Sequence, residues 1–145
     1  MKEDGKMLDI NDDVSFLDEY FPEKKGKWIV LYFYPKDFTS GCTKEAESFR
    51  DNYDKFREID VDVIGISVDE DEQHRKFREK LNLPFELKSD SDRQIIKKFG
   101  VENMGKARRT TFIINPERKI VKKWGRVKPE NHAEEVLNAL KEMKK

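Results

Sequence analysis

Between residues 28 and 34 the chain reads Trp28-Ile29-Val30-Leu31-Tyr32-Phe33-Tyr34, an unbroken apolar run rich in aromatic and β-branched side chains. A run with no polar face predicts a strand covered on both sides, at the centre of a sheet. Val63-Ile64-Gly65-Ile66-Ser67-Val68 reads the same way, and between the two runs Ala46, Phe49, Tyr53 and Phe56 recur at helical spacing. Strand, helix, strand predicts a βαβ unit.

Further on, the acidic cluster Asp69 to Glu72 precedes a helical face carrying Phe77 and Leu81, and Asn82-Leu83-Pro84 ends it. A short element, Phe85-Glu86-Leu87, follows. Ser89 to Asp92 offer N-cap chemistry to a helix bearing Ile95, Ile96 and Phe99, which Gly100 is placed to end. Thr110 to Ile114 and Lys119 to Trp124 flank Asn115-Pro116-Glu117-Arg118 and predict a hairpin. Ala133, Val136, Leu137, Leu140 and Met143 predict a closing amphipathic helix. The order predicts an α/β fold, a mixed central β-sheet flanked by helices on both faces. Ahead of it, Leu8, Ile10, Val14, Phe16 and Leu17 suggest a short strand or hairpin and a turn of helix, and residues 1–27 are the least patterned part of the chain.

The 145 residues fit one domain over residues 1–145, able to bury ~70% of the surface the unfolded chain exposes. Charged residues make up 41%, but 30 basic and 30 acidic side chains cancel and are interspersed. No basic stripe for nucleic acid results, and no apolar run approaches a membrane span of ~20 residues. The charged start, Met1 to Lys6, lacks the apolar core of a signal peptide, and a single cysteine cannot form an internal bridge. Both point to a reducing, cytoplasmic setting. His74 and His132 show no metal-ligand spacing and read as helix-surface residues, so neither a metal nor another cofactor is expected. Trp28 and Trp124 read as packing residues.

Cys42, the only cysteine, lies between the first apolar strand and the helix carrying Ala46 and Phe49. A lone cysteine is commonly a small buried hydrophobe. At a helix start, however, its sulfur meets unpaired N–H groups and the positive end of the helix dipole, which favour thiolate. One turn before Ala46 on the same face, it should be recessed toward the core, where desolvation opposes ionisation. Lowering an ordinary thiol pKa from about 8.5 to about 6 takes roughly 3.4 kcal/mol. A helix terminus supplies at best about 2 kcal/mol, so a cation must add the rest. Arg108 and Arg109, opening the strand at Thr110, are the candidates.

The stretch from Tyr32 to Ala46, with Pro35, Thr39 and Cys42 in a Pro-x-x-x-Thr-x-x-Cys pattern, resembles the peroxiredoxins, specifically their bacterioferritin-comigratory or Q-type branch. Gly65-Ile66-Ser67, Leu83-Pro84-Phe85 with Ser89-Asp90, and Arg109 to Ile114 extend the resemblance over roughly residues 28 to 140. It implies a thioredoxin-like fold and thiol-dependent reduction of hydroperoxides. By position it implies that Cys42 is the peroxidatic nucleophile, Thr39 a hydroxyl for peroxide or thiolate, and Arg109 the catalytic arginine. Pro35 would wall the pocket, Glu45 would orient the arginine or cap backbone N–H groups, and Arg108 would be solvated. Tyr32, Phe33, Tyr34 and Phe38 could line the pocket, with alternate side chains of the strand facing the core instead.

Many Q-type relatives carry a resolving cysteine five residues after the first, and here that position is Glu47. The expectation is therefore a one-cysteine cycle. Its reductant would be an external thiol: a thioredoxin-like protein, a small thiol, or Cys42 of a second copy. Monomer and homodimer are both compatible with the sequence. Two other readings keep the fold: a non-catalytic binding module, and a thiol-disulfide oxidoreductase. The second ordinarily needs another cysteine where Thr39 stands.

Overall fold

A computed structural model of the chain describes residues 6–144. The ends of the expected 1–145 domain, including Met1 to Gly5 of the charged start, lie outside the described residues. A five-stranded sheet forms the frame, built from β1 (Trp28–Phe33), β2 (Val61–Ser67), β3 (Glu86–Ser89), β6 (Thr110–Ile114) and β7 (Ile120–Trp124), in the order β3-β2-β1-β6-β7. β1 is central, parallel to β2 and antiparallel to β6. β3 continues parallel to β2, and β6 and β7 form the expected hairpin. Between β3 and β6 lies a two-stranded ribbon, β4 (Glu102–Asn103) with β5 (Lys106–Ala107), which the sequence pattern did not predict.

The helices are α1 (Leu17–Tyr20), α2 (Ser40–Glu58), α3 (Asp71–Leu81), α4 (Gln94–Phe99) and α5 (His132–Met143). Alternate residues of β1 serve opposite faces of the sheet. Val30, Tyr32 and Tyr34 pack with Cys42, Ala46, Phe49 and Phe56 of α2, Phe77 of α3, and Val136 and Leu140 of α5. Ile29, Leu31 and Phe33 pack with Leu17 of α1 and with Ile95, Ile96 and Phe99 of α4. Both faces of β1 are therefore dry, as its apolar run requires. Trp28 and Trp124 pack at the border of the first cluster. No helix among the described residues is long and apolar enough to cross a membrane.

Helix boundaries follow local chemistry. Asn82 and Gly100 close α3 and α4 in left-handed backbone, Gly100 at φ +69°. The Asp90 carboxylate accepts the otherwise unpaired N–H groups of Ile95 and Ile96 at 3.2 and 2.7 Å.

Both histidines depart from expectation: His74 is 2% and His132 1% exposed. His132 lies edge-on to Phe49 and Trp124, with Nε2 2.8 Å from Thr111 Oγ1 and Nδ1 2.9 Å from Glu135 Oε1. It ties α5 to the sheet, and burial holds its imidazole below the ordinary value despite Glu135. Each histidine occupies the apolar stripe of its helix, His74 with Phe77 and Leu81, His132 with Val136 and Leu140. The spacing carried the signal that the polar side chain masked.

The N-terminal segment makes one bridge, Asp13 to Lys119, then α1 and a 3-10 turn at Pro22–Lys24. Leu8, Val14 and Leu17 are buried, whereas Ile10 is half exposed. Arg118, itself buried, holds this segment: it donates to the carbonyls of Lys24 and Lys27 at 2.5 and 2.8 Å and to Asp18 Oδ1 at 2.9 Å. Arg118→Ala would take a buried donor from all three acceptors and should cost about 3 kcal/mol in urea denaturation. Arg118→Lys should recover little of it, because an ammonium cannot serve the same fork.

Candidate active site

Where β1 ends, the chain turns through Pro35 to Thr39 and enters α2. Thr39 is the helix N-cap in extended backbone, and α2 carries no acidic residue in its first turn. The first intrahelical bond runs from Thr43 N–H to Thr39 O at 2.9 Å, so the N–H groups ahead of it, up to that of Cys42, point out of the helix end. Cys42 is 1% exposed, recessed as its place on the Ala46–Phe49 face predicts.

Sheet register brings the cation. Phe33, the last residue of β1, pairs with Thr110, the first of β6, so Arg109 leaves the sheet beside the start of the β1–α2 loop. Its Nη2 donates to Cys42 Sγ at 3.4 Å and its Nη1 to Glu45 Oε1 at 2.7 Å. One guanidinium thus joins a thiol and a carboxylate that are neighbours on a single helix turn. Arg108 is exposed.

Close approach to the helix depends on a missing side chain. A Cβ built on Gly41 would lie 2.9 Å from Arg109 Nη2 and 3.5 Å from Pro129 Cγ.

Glu45 is fully buried, and its Oε2 has no hydrogen-bond partner. Burial pushes its carboxyl up to about 7 against the pull of Arg109. Arg109 feels the pair from the other side: burial lowers it, but Glu45 and Cys42 outweigh this and leave it above its ordinary value. These directions are consistent, because the half-buried guanidinium keeps solvent that the carboxylate has lost entirely.

Thr39 is exposed, and its hydroxyl donates to Lys36 O at 2.9 Å rather than to the sulfur. Its oxygen keeps acceptor capacity, and the hydroxyl can rotate. Pro35 is half-buried in the same loop. Tyr32 and Tyr34 stack on the Cys42 side of the sheet, Tyr32 also on Phe49 at 4.7 Å, whereas Phe33 points to the opposite core. The alternation expected along the strand thus turns Phe33 away from the lining. The Tyr32 hydroxyl is buried without a partner, and burial together with Glu45 and Cys42 raises it well above the ordinary value.

Sequence reasoning missed Asp37, which is buried inside the loop. Its carboxylate meets the Tyr34 hydroxyl and His74 Nδ1, each at 2.6 Å.

Comparison with known proteins places the whole chain beside this local geometry. The family model described as AhpC/TSA matches residues 6–123. The chain belongs to that family. Peroxiredoxin Bcp of Bacillus subtilis is 48% identical over 128 residues, 82% of this chain and 81% of the relative. A putative peroxiredoxin bcp of Coxiella burnetii is 40% identical, with 95% and 89% of the two chains covered. Among solved structures, a cysteine-to-serine mutant of Xylella fastidiosa PrxQ superposes with a TM-score of 0.89 at 34% identity, covering 97% of this chain and 99% of that one. The bacterioferritin comigratory protein of Xanthomonas campestris, described for its alkyl peroxide reduction activity, gives 0.80 at 36% identity over 86% and 84%. The chain is thus a peroxiredoxin of the Bcp/Q branch with a thioredoxin-like fold, as the resemblance implied.

The raised Glu45 carboxyl makes a pH-dependent prediction. Relative to the unfolded chain, the fold holds this proton more tightly, from 4.5 to about 7. Its contribution to stability is full below about pH 4.5 and is lost as pH rises through about 7. Glu45→Gln cannot ionise, so relative to wild type it should gain on the order of 3 kcal/mol between pH 4.5 and 8 in urea denaturation. A pH-independent difference would show a carboxyl that folding leaves at its ordinary value.

Proposed function

We propose that this peroxiredoxin reduces hydroperoxides with Cys42 as the peroxidatic nucleophile in a one-cysteine cycle. The observation carrying this reading is Arg109 Nη2 at 3.4 Å from Cys42 Sγ, at the uncapped start of α2. Arginine and helix end together favour the thiolate. The thiolate attacks one peroxide oxygen along the O–O axis. The S–O bond forms as the O–O bond breaks, and the departing oxygen takes a proton and leaves as water or alcohol. Sulfur is oxidised to a sulfenic acid, and peroxide is reduced by two electrons.

Negative charge on the departing oxygen is largest at the transition state, where preorganised donors have most effect. The Arg109 guanidinium and the free N–H groups at the α2 start are such donors. In this reading Thr39 offers its hydroxyl to peroxide once it rotates from Lys36 O, Pro35 keeps water from one side, and Glu45 aims Arg109.

Regeneration needs thiols from outside, because the sequence holds no second cysteine. One external thiol condenses with the sulfenic acid, releasing water and leaving a mixed disulfide. A second thiol then releases Cys42 and carries away the disulfide. Thioredoxin-like proteins and small thiols fit this chemistry, which belongs in a reducing compartment such as the cytoplasm. The relative from Xanthomonas campestris supports alkyl hydroperoxides as substrates beside hydrogen peroxide.

Stoichiometric hydrogen peroxide added to the reduced protein should give rapid oxidation at Cys42, read by mass spectrometry with a sulfenic-acid trap. Arg109→Ala should slow it by about 10²-fold or more, the scale of removing one transition-state donor. Oxidation of wild type no faster than that of a free thiol would overturn the assignment of Cys42. Steady-state peroxide consumption should stop after one equivalent without added thiol; sustained turnover without one would exclude the one-cysteine cycle.

A further inference from the structure

The loop that presents Thr39 and Cys42 is fastened from beneath by a buried polar cluster for which the chemistry above has no use. Asp37, 1% exposed, stands in the middle of that loop. Its Oδ1 accepts from the Tyr34 hydroxyl at the end of β1, and its Oδ2 meets His74 Nδ1 in the first turns of α3, both at 2.6 Å. His74 Nε2 lies 3.2 Å from the carbonyl of Lys88 in β3. The ring therefore spans from β3 to the loop. The backbone N–H of Asp37 donates to Asp69 Oδ2 at 2.8 Å, and Ser67, at the end of β2, donates to the same oxygen at 2.6 Å. Ligand-type atoms of Asp37, Asp69 and His74 converge within 4.8 Å, but hydrogen bonds already engage each of them.

The next residue shows what this tether opposes. Phe38 has φ +67°, a left-handed conformation costly for a bulky side chain. The residue is 42% exposed, and its ring leans edge-on against Phe77 at 5.1 Å. Immediately afterwards Thr39 takes the N-cap position of α2. The strained turn is therefore bracketed by the buried Asp37 and the helix start, and it persists only if both ends are held.

We propose that His74 is a positioning residue for the peroxidatic loop: through Asp37 it fixes the turn at Phe38 and thereby places Thr39 and the α2 N-terminus around Cys42. The inference rests on Cys42 being the nucleophile. A small displacement of such groups costs rate without abolishing the thiol, so peroxide reactivity and general thiol reactivity should separate.

The test compares second-order rate constants of Cys42 with hydrogen peroxide and with iodoacetamide, in variants whose folding is checked by circular dichroism. His74→Leu, which keeps bulk but no donor, should lose about tenfold or more against peroxide while alkylation changes less than threefold. Asp37→Asn, close to isosteric, should lose in the same direction and serves if the leucine variant fails to fold. His74→Asn, which retains a donor at the Nδ1 position, should recover most of the rate. Phe38→Gly placed in the His74→Leu background should recover at least threefold, because glycine adopts the left-handed turn without holding. Peroxide rates within twofold of wild type in folded His74→Leu or Asp37→Asn would overturn the proposal, as would equal loss toward both reagents. A wild-type protein that itself reacts slowly with peroxide would instead overturn the reading of Cys42.

Discussion

Arg109 is shared. Its two terminal nitrogens reach a sulfur and a carboxylate that α2 presents one turn apart, and neither partner is close to solvent. Almost every other feature near the site serves that contact. The β1–β6 register delivers the arginine to the right end of the sheet, Gly41 leaves the space it enters, and the N-cap at Thr39 starts the helix where Cys42 falls under it. A planar fork with fixed donors is suited to bridging two acceptors in this way, where an ammonium would serve one at a time.

The arrangement carries an internal tension. A buried carboxylate beside a thiol opposes thiolate formation, yet Glu45 is the group that aims the guanidinium. Complete burial eases this conflict, because it raises the carboxyl until the proton is held near neutral pH, and a neutral carboxyl still accepts from Arg109. Orientation is kept while the opposing charge is diminished.

Much of this was readable from the chain because it follows from period and punctuation. The seven-residue apolar run from Trp28 could only be a covered strand, and the stripe from Cys42 through Ala46, Phe49 and Phe56 set the depth of the thiol. Arg109 was singled out by its place at a strand start and by resemblance; the distance to sulfur needed the register. The histidines were misread because chemical type was given more weight than spacing, although both lie on apolar stripes. Asp37 was hidden for a different reason: beyond nearby Tyr34, its partners Asp69 and His74 lie more than thirty residues away, and no local pattern marks such convergence. The β4–β5 ribbon has two residues per strand, too few for alternation to appear.

The segment before β1, which carried the weakest pattern, occupies a position of some consequence. Asn11 donates to Ile120 O, Ile120 to Asp12 O, and Val14 to Arg118 O, so the free side of β7 is already engaged at its first residues. Beyond them the edge continues through Lys122 and Lys123, side chains that discourage strand addition. A foreign chain therefore meets an occupied and then a charged margin at this end of the sheet. Strand addition along this margin, by a second copy or any other chain, is opposed by the chain's own early residues and by its lysines.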